Sequence, residues 1–325
     1  MSKKALWFFS NRTRFLLVFL VLILLILSGV SPELLSLDNL LQITQFGAVL
    51  ALLGIGQALI MAAGGDGIDM SIGSAMSLSG VLLGIAYKSG LPFGVDLLIA
   101  VISGLLFGML NAVLIAIAGL PPMIATMGTS YIYSSVALYL TGGTPISGFP
   151  QSFGWLGQDM TFNIPNQVLF VVLPVATVIL LAVYRTKFGR SLYLTGDNEI
   201  AAKFAALNVT RVRFIVYSLG GLLAGISAII MSSWLMTARA DVGDGYDFQS
   251  MAVATLGGIS MSGGSGFLSG VLSAVLIITI ISSGLQMANI NSIWQLVILG
   301  FILIIAVSLN EFFLQKSQNL KAKEQ

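Results

Sequence analysis

The residues able to do chemistry in this chain are few, and the most unusual of them are carboxylates set among apolar residues. Asp66 and Asp69 stand in the segment Gly64–Gly80, GGDGIDMSIGSAMSLSG, between two apolar runs. An aspartate at mid-membrane costs about 2.5–3.5 kcal/mol on insertion scales, so it faces a polar cavity, backbone donors or a partner. The glycines permit broken helix ends, whose free N–H groups bind anions or carboxylates. Two readings stand together: Asp69 and Ser71 line a substrate pathway, or they cap the following helix while Asp66 is solvated in a turn. A second cluster lies in Arg239–Gly258, RADVGDGYDFQSMAVATLGG. Tyr246, Asp247 and Gln249, with Arg239, supply donors, acceptors and an aromatic face of the kind a sugar-like solute needs. Asp247 and Gln249 are expected at the outer mouth of a pathway. The competing reading is a solvated outer loop, above all for Asp241 and Asp244.

Catalysis has little to work with. The chain contains no cysteine and no histidine, which removes disulfides, thiol chemistry, imidazole metal sites and histidine acid–base work. No G-x-x-x-x-G-K-[ST] phosphate loop occurs, so any nucleotide chemistry belongs to another polypeptide. No metal site and no nucleic-acid partner is expected, and the net charge of +2 needs none.

A third segment is polar and basic: TKFGRSLYLTGDNEIAAKFAALNVTRVRF, Thr186–Phe214. Asp197 or Asn198 caps a short helix with Glu199 in its first turn, and Ala201, Ala202, Phe204, Ala205 and Leu207 form an apolar face. Such a helix fits a groove on a partner protein. A helix lying in the lipid headgroup layer, anchored by basic residues, is the other reading.

The elements that must position these residues follow from composition. Of 325 residues 57% are hydrophobic and 9% charged, with a mean hydropathy of +0.98, against roughly 25% charged in soluble domains. A helix needs about 20 apolar residues to cross the hydrocarbon core, and about ten charge-poor runs meet or approach that length. Their cores are 15–30, 40–63, 71–87, 97–118, 122–140, 166–184, 214–235, 250–258 with its glycine-rich sequel, 267–286 and 292–310. The predicted fold is an all-α polytopic transmembrane bundle in a single domain, 1–325. Thirteen of the fifteen basic residues fall before residue 15, between 185 and 213, or after 315. The positive-inside rule then makes the N-terminus (1–14), the loop 185–213 and the tail (311–325) cytoplasmic, and 141–165 an irregular periplasmic loop. An N-terminal signal peptide would upset that parity. The run at 250–266 is too short to span and is read as a re-entrant hairpin. Internally, Gly258–Gly270 echoes Gly67–Gly80 with one gap; paired glycine-interrupted segments point to a translocation pathway, or to close helix packing.

Six motifs in order resemble the ribose-type sugar permeases of bacterial ABC importers over roughly residues 40–310. They are GGDGIDMSIGS, GGTPISGFP, RTKFGRSLYLTGDNEIAAKFAALNV, RVRFIVYSLGGLLAGISAII, GDGYDF and LGGISMSGGSGFLSG. The resemblance implies an inner-membrane permease without its own ATPase. Its partners would be cytoplasmic ABC ATPases that bind ATP and Mg, a second permease subunit (the same chain or a paralogue), a periplasmic or lipid-anchored solute-binding protein, and the bilayer. Glu199, Ala201 and Ala202 match the family's EAA-like coupling loop, here Gly196, Asp197, Asn198, Glu199, Ala201, Ala202 and Ala206. Two departures stand out: Ala206 replaces the usual glycine, and Asp66 is inserted into the usual GGIDLSVG pattern. Related permeases carry nucleosides or branched-chain amino acids, and a proton- or ion-coupled secondary transporter using Asp66, Asp69 or Asp247 is the alternative class.

Overall fold

The computed structural model describes residues 36–291 and six further positions up to 304. The expected spans at 15–30 and, apart from those six positions, 292–310 lie outside the described residues, as do both terminal segments. Within them the chain is helical, as its hydropathy requires. Ser36 Oγ accepts from the Asn39 amide at 3.3 Å and opens α1, Leu37–Ala62. After a glycine-rich break come α2, Ile72–Lys88, and α3, Phe93–Ala112, which runs on through a π-helical turn to Ile117. Next is α4, Pro122–Thr141, opened by a proline in its first turn and closed by Gly142 in the left-handed region. The segment 141–165, expected to be irregular, instead holds α5, Gln151–Gly157, and short ladder strands: β1, Ile146–Ser147, β2, Met160–Thr161, and β3, Ile164–Pro165. Then α6 spans 168–185, its first five residues π-helical. The basic loop divides into α7, Lys187–Asp197, and α8, Glu199–Phe204. Long helix α9, Val209–Leu235, leads through β4, Thr237–Ala238, to α10, Tyr246–Leu256, and a second break precedes α11, Leu268–Met287. β1 pairs antiparallel with β4, and β2 with β3.

Among the described residues, five stretches are long and apolar enough to cross a membrane: Asn39–Ala62, Phe93–Ile117, Val168–Arg185, Val209–Leu235 and Leu268–Met287. Among the described residues they make an all-α membrane bundle with no closed sheet. α1 is its axis, packed by α9, α10 and α11, while α9 also leans on α2 and α3. Lipid is as apolar as leucine, so helices in it associate through close backbone approach rather than hydrophobic burial. α3 shows the rule on its two sides. Leu98, Ile102, Leu106 and Leu110 are exposed at helical spacing, whereas Ala100, Gly104 and Gly108 face inward. Gly104 and Gly108 meet Gly221 and Gly225 of α9: a Cβ on Gly104 would lie 2.5 Å from the Gly221 carbonyl and 2.6 Å from Gly225 Cα. This pair of G-x-x-x-G motifs was readable in the sequence and fixes the α3–α9 crossing. Asp96, on the same inward face, has no hydrogen-bond partner among the described residues; it stands in the first turn of α3, where the helix dipole favours an anion.

The expected hairpin at 250–266 is better described as a half-helix. Ala238 lies beside Gly84, near the far end of α2, yet the Gly243 amide donates to Ser77 Oγ at 2.8 Å and the backbone of Asp247 reaches Gly73. Between Gly84 and Gly73 α2 advances about 16 Å at ~1.5 Å per residue. The strand after α9 therefore descends deep into the bundle before α10 begins.

Candidate functional site

At the basic end, α8 is fixed residue by residue. Asn198, not Asp197, is its cap: Asn198 Oδ1 accepts from the Ala201 amide at 2.9 Å. The Glu199 carboxylate accepts from Lys203 Nζ at 2.7 Å and from Arg213 Nη2, near the start of α9, at 2.6 Å. The Lys203 bond, with Arg213 second among the bonding partners, holds its carboxyl below the ordinary glutamate range. The apolar face differs from the expected one. Ala202 is 3% exposed and packs inward, while Ile200 (69%) and Phe204 (88%), one turn apart, project outward. Ala201 is exposed as well.

Gly196 and Asp197 precede this cap and touch both glycine-rich breaks. A Cβ on Gly64 would come 2.7 Å from Gly196 Cα, one on Gly196 would strike the Ala62 carbonyl and the Gly264 amide, and one on Gly264 would lie 2.8 Å from Asp197 Cβ. The Gly264 amide donates to the Ala62 carbonyl at 3.1 Å. The echo between the two segments is thus a spatial meeting: Gly64 and Gly263 abut. It extends to local chemistry. Asp69 Oδ1 accepts from the Ser71 amide at 2.8 Å, and at the matching positions Ser260 Oγ accepts from the Ser262 amide at 3.2 Å. Asp66 is exposed, with φ of 53°.

Asp69 itself is 2% exposed and belongs to a bonded polar network. Ser71 Oγ donates to its Oδ1 at 2.7 Å, Asn111 Nδ2 donates to Ser71 Oγ at 2.7 Å, and Thr129 Oγ1 donates to Asn111 Oδ1 at 2.7 Å. Thr126 Oγ1 accepts from the Met70 amide at 3.1 Å, and Gln57, in the orientation that satisfies both groups, pairs with the backbone N–H and C=O of Asp69 at 3.2 Å each. These bonds tie the segment that opens α2 to α1, α3 and α4; Ser71, the N-cap residue, makes no side-chain capping bond, its hydroxyl being engaged by Asp69 and Asn111. Gln57, Asn111 and Thr129 were not foreseen; each is a buried polar residue in an apolar helix, a signal the sequence did carry.

The second cluster separates. Arg239 is at the opposite end, bound to Asp241 through Nε at 2.9 Å and Nη2 at 2.6 Å, in a shallow cleft with Thr141 and Thr144. Tyr246 and Gln249 instead line a cavity of about 180 Å³ with Phe46, Leu50, Trp234, Ile278, Thr279 and Ser282. Asp247 is half-buried in the first turn of α10. Asp247 and Gln249 are thus half-buried and lie near the start of α2, away from Arg239. Trp234, Phe46, Thr279 and Ser282 come from three other helices, which no local motif could announce. Phe46 and Trp234 meet edge to face at 5.3 Å.

A multi-pass helical bundle whose glycine-broken helices converge on a polar interior is the architecture of a membrane transport protein. Residues 39–307 match the family described as branched-chain amino acid transport system / permease component, and the chain belongs to that family. It is 34% identical over 299 residues to the autoinducer 2 import system permease protein of Enterobacter sp. (strain 638), covering 90% of each chain. To the ribose import permease protein of Bacillus subtilis (strain 168) it is 34% identical over 298 residues, again 90% of each. To that of Escherichia coli (strain K12) it is 31% identical over 302 residues, 90% of this chain and 91% of the relative. No solved structure matches the chain.

Proposed function

We propose that the chain is the permease subunit of an ABC importer that moves a sugar-like solute across the bacterial cytoplasmic membrane. It performs no bond chemistry. Separate ATPase subunits, binding ATP and Mg, bias it between outward- and inward-open states, a second permease subunit completes the pathway, and a solute-binding protein delivers the solute. The observation that carries this reading is the capped, ion-paired helix α8 with Ile200 and Phe204 held outward at the basic end. An exposed apolar pair on a rigid helix suits a groove on a partner, and the positive-inside rule puts that end in the cytoplasm. The cavity of Phe46, Trp234, Tyr246, Gln249, Thr279 and Ser282 combines aromatic faces with neutral polar groups, which suits a sugar-like solute; Asp247 and Gln249 mark its route, and the buried Asp69–Ser71 network is a further candidate part of the pathway. The names of the relatives favour a sugar or a sugar-derived signal, and the family description keeps a branched-chain amino acid as the second solute class.

The test is assembly. Phe204→Ser and Ile200→Ser are each expected to lose about 1.5–3 kcal/mol of association with the ATPase, the worth of burying such a side chain, read as weakened co-purification and lost ATP-driven uptake. Ala202→Asp is the wrong probe, because Ala202 packs inward. Unchanged association in the double variant would refute docking through α8. Uptake of labelled ribose but not leucine by the complete importer, given a binding protein for each, would separate the solute classes.

A further inference from the structure

Helix α8 and the end of α7 that leads directly into it are attached to the membrane bundle in two independent ways, which together reach both glycine breaks. The first is ionic: Arg213 Nη2 donates to Glu199 Oε2 at 2.6 Å, and the same guanidinium lies over Gly65, where a Cβ would fall 2.8 Å from Arg213 Cζ. Arg213 is only 18% exposed, so this ion pair is less screened than the surface contact with Lys203. The second is backbone against backbone. Gly196 is wedged between the Ala62 carbonyl and the Gly264 amide, with Gly64 against its Cα, and the Gly264–Ala62 hydrogen bond closes the clasp at 3.1 Å. From one break the chain continues into the Asp69 network and α2; the other joins α10, which carries Tyr246 and Gln249, to α11, which carries Thr279 and Ser282. Such a contact has no flexible side chain to absorb movement, and packed interfaces of this kind rearrange between discrete states rather than deforming smoothly.

We infer that Arg213 and Gly196 are the positioning residues through which a displacement of α8 reaches both broken segments at once, with the Gly64–Gly196–Gly264 clasp as the closure at the basic end of the pathway. The inference deepens the importer reading and rests on it.

The complete importer, this chain with its ATPases, any companion permease and its solute-binding protein, is reconstituted in proteoliposomes, and solute uptake and ATP hydrolysis are measured on the same vesicles. Nucleotide-independent uptake by the wild type would sink the importer reading itself. With nucleotide-dependent wild-type uptake, Arg213→Met is expected to keep ATPase association and hydrolysis while uptake per ATP falls about tenfold, a typical coupling loss, and Arg213→Lys, which keeps the charge, recovers part of it. Gly196→Ala is expected to act in the same direction, with its folded state checked by gel filtration in detergent; if it does not fold, the Arg213 pair decides. Unchanged uptake per ATP in Arg213→Met, loss of ATPase association in that variant, or a lysine variant as impaired as the methionine one would each overturn the inference while leaving the importer reading intact.

Discussion

Ala206 ends α8 with φ of 58°, a left-handed backbone that favours glycine, and its surroundings explain why the chain takes it there. The Ala206 amide donates to the Lys203 carbonyl and the Leu207 amide to the Ala202 carbonyl, each at 3.0 Å, which is the Schellman arrangement that puts the residue after the cap in the left-handed region. An alanine there carries about 1–2 kcal/mol of Cβ strain, partly offset by the extra unfolded-state freedom a glycine would bring. Ala206→Gly is therefore expected to gain about 0.5 kcal/mol, and Ala206→Val to lose more than 1 kcal/mol, in thermal denaturation of the detergent-purified chain. Glu199 sets a pH dependence with a definite sign. Its carboxyl is held below its ordinary value by Lys203 and then Arg213, so the anchor is fully present above the unfolded glutamate range and is lost as pH falls through the lower folded value. Protection of α8 amides against hydrogen exchange should stay flat from neutral pH down to about 5, then fall in the wild type and not in Glu199→Gln, which lacks the titrating group throughout. In the buried network, Asn111→Leu removes one partner each from Ser71 and Thr129, which keep Asp69 and the Thr126 carbonyl, and should cost about 1 kcal/mol for each bond lost, whereas Asp69→Asn keeps the acceptor that the Ser71 amide needs and should cost less.

Among the elements, the α3–α9 pair depends most on the absence of side chains. Gly108 meets the Gly221 Cα at 2.8 Å from a hypothetical Cβ, so Gly108→Val must push two long helices apart. The expected cost is about 3 kcal/mol, at the upper end for overpacking, read as loss of the monodisperse peak after mild heating in detergent. Gly128 on α4 has no atom within 4 Å of a built Cβ, and Gly128→Ala should be silent or slightly stabilising by helix propensity. The contrast separates glycines that carry packing from glycines that merely occur. Half-helix α10 obeys a different constraint. Its N-terminus lies inside the bundle, and irregular backbone at membrane depth is tolerated only where protein or a polar cavity surrounds it; the Gly243–Ser77 bond meets part of that requirement.

For the whole molecule, a permease driven by a separate engine should be inert alone. The purified chain in liposomes is expected to show no uptake under a proton or sodium gradient, and radiolabelled-solute flux without nucleotide or companion subunits would contradict the proposal. Its family, its bundle class and the five described stretches long and apolar enough to cross a membrane were legible from residue types in order, because hydropathy and the glycine- and proline-marked ends of a helix are local properties of the chain. The outward pair Ile200 and Phe204 was not legible, since both faces of α8 carry apolar residues and only packing against α9 decides which is buried. Nor was the fate of Arg239, whose sequence neighbourhood placed it with Tyr246 and Gln249 until the descent of the chain beside α2 carried those two about 16 Å deeper. Sequence alone determined that this protein lies in lipid, breaks two helices at glycines and carries a polar knob at one end. Tertiary structure alone decided that the two breaks and the knob touch, because contacts between residues nearly 200 positions apart, such as Gly64 and Gly263, depend on how the helices cross rather than on what any one of them contains.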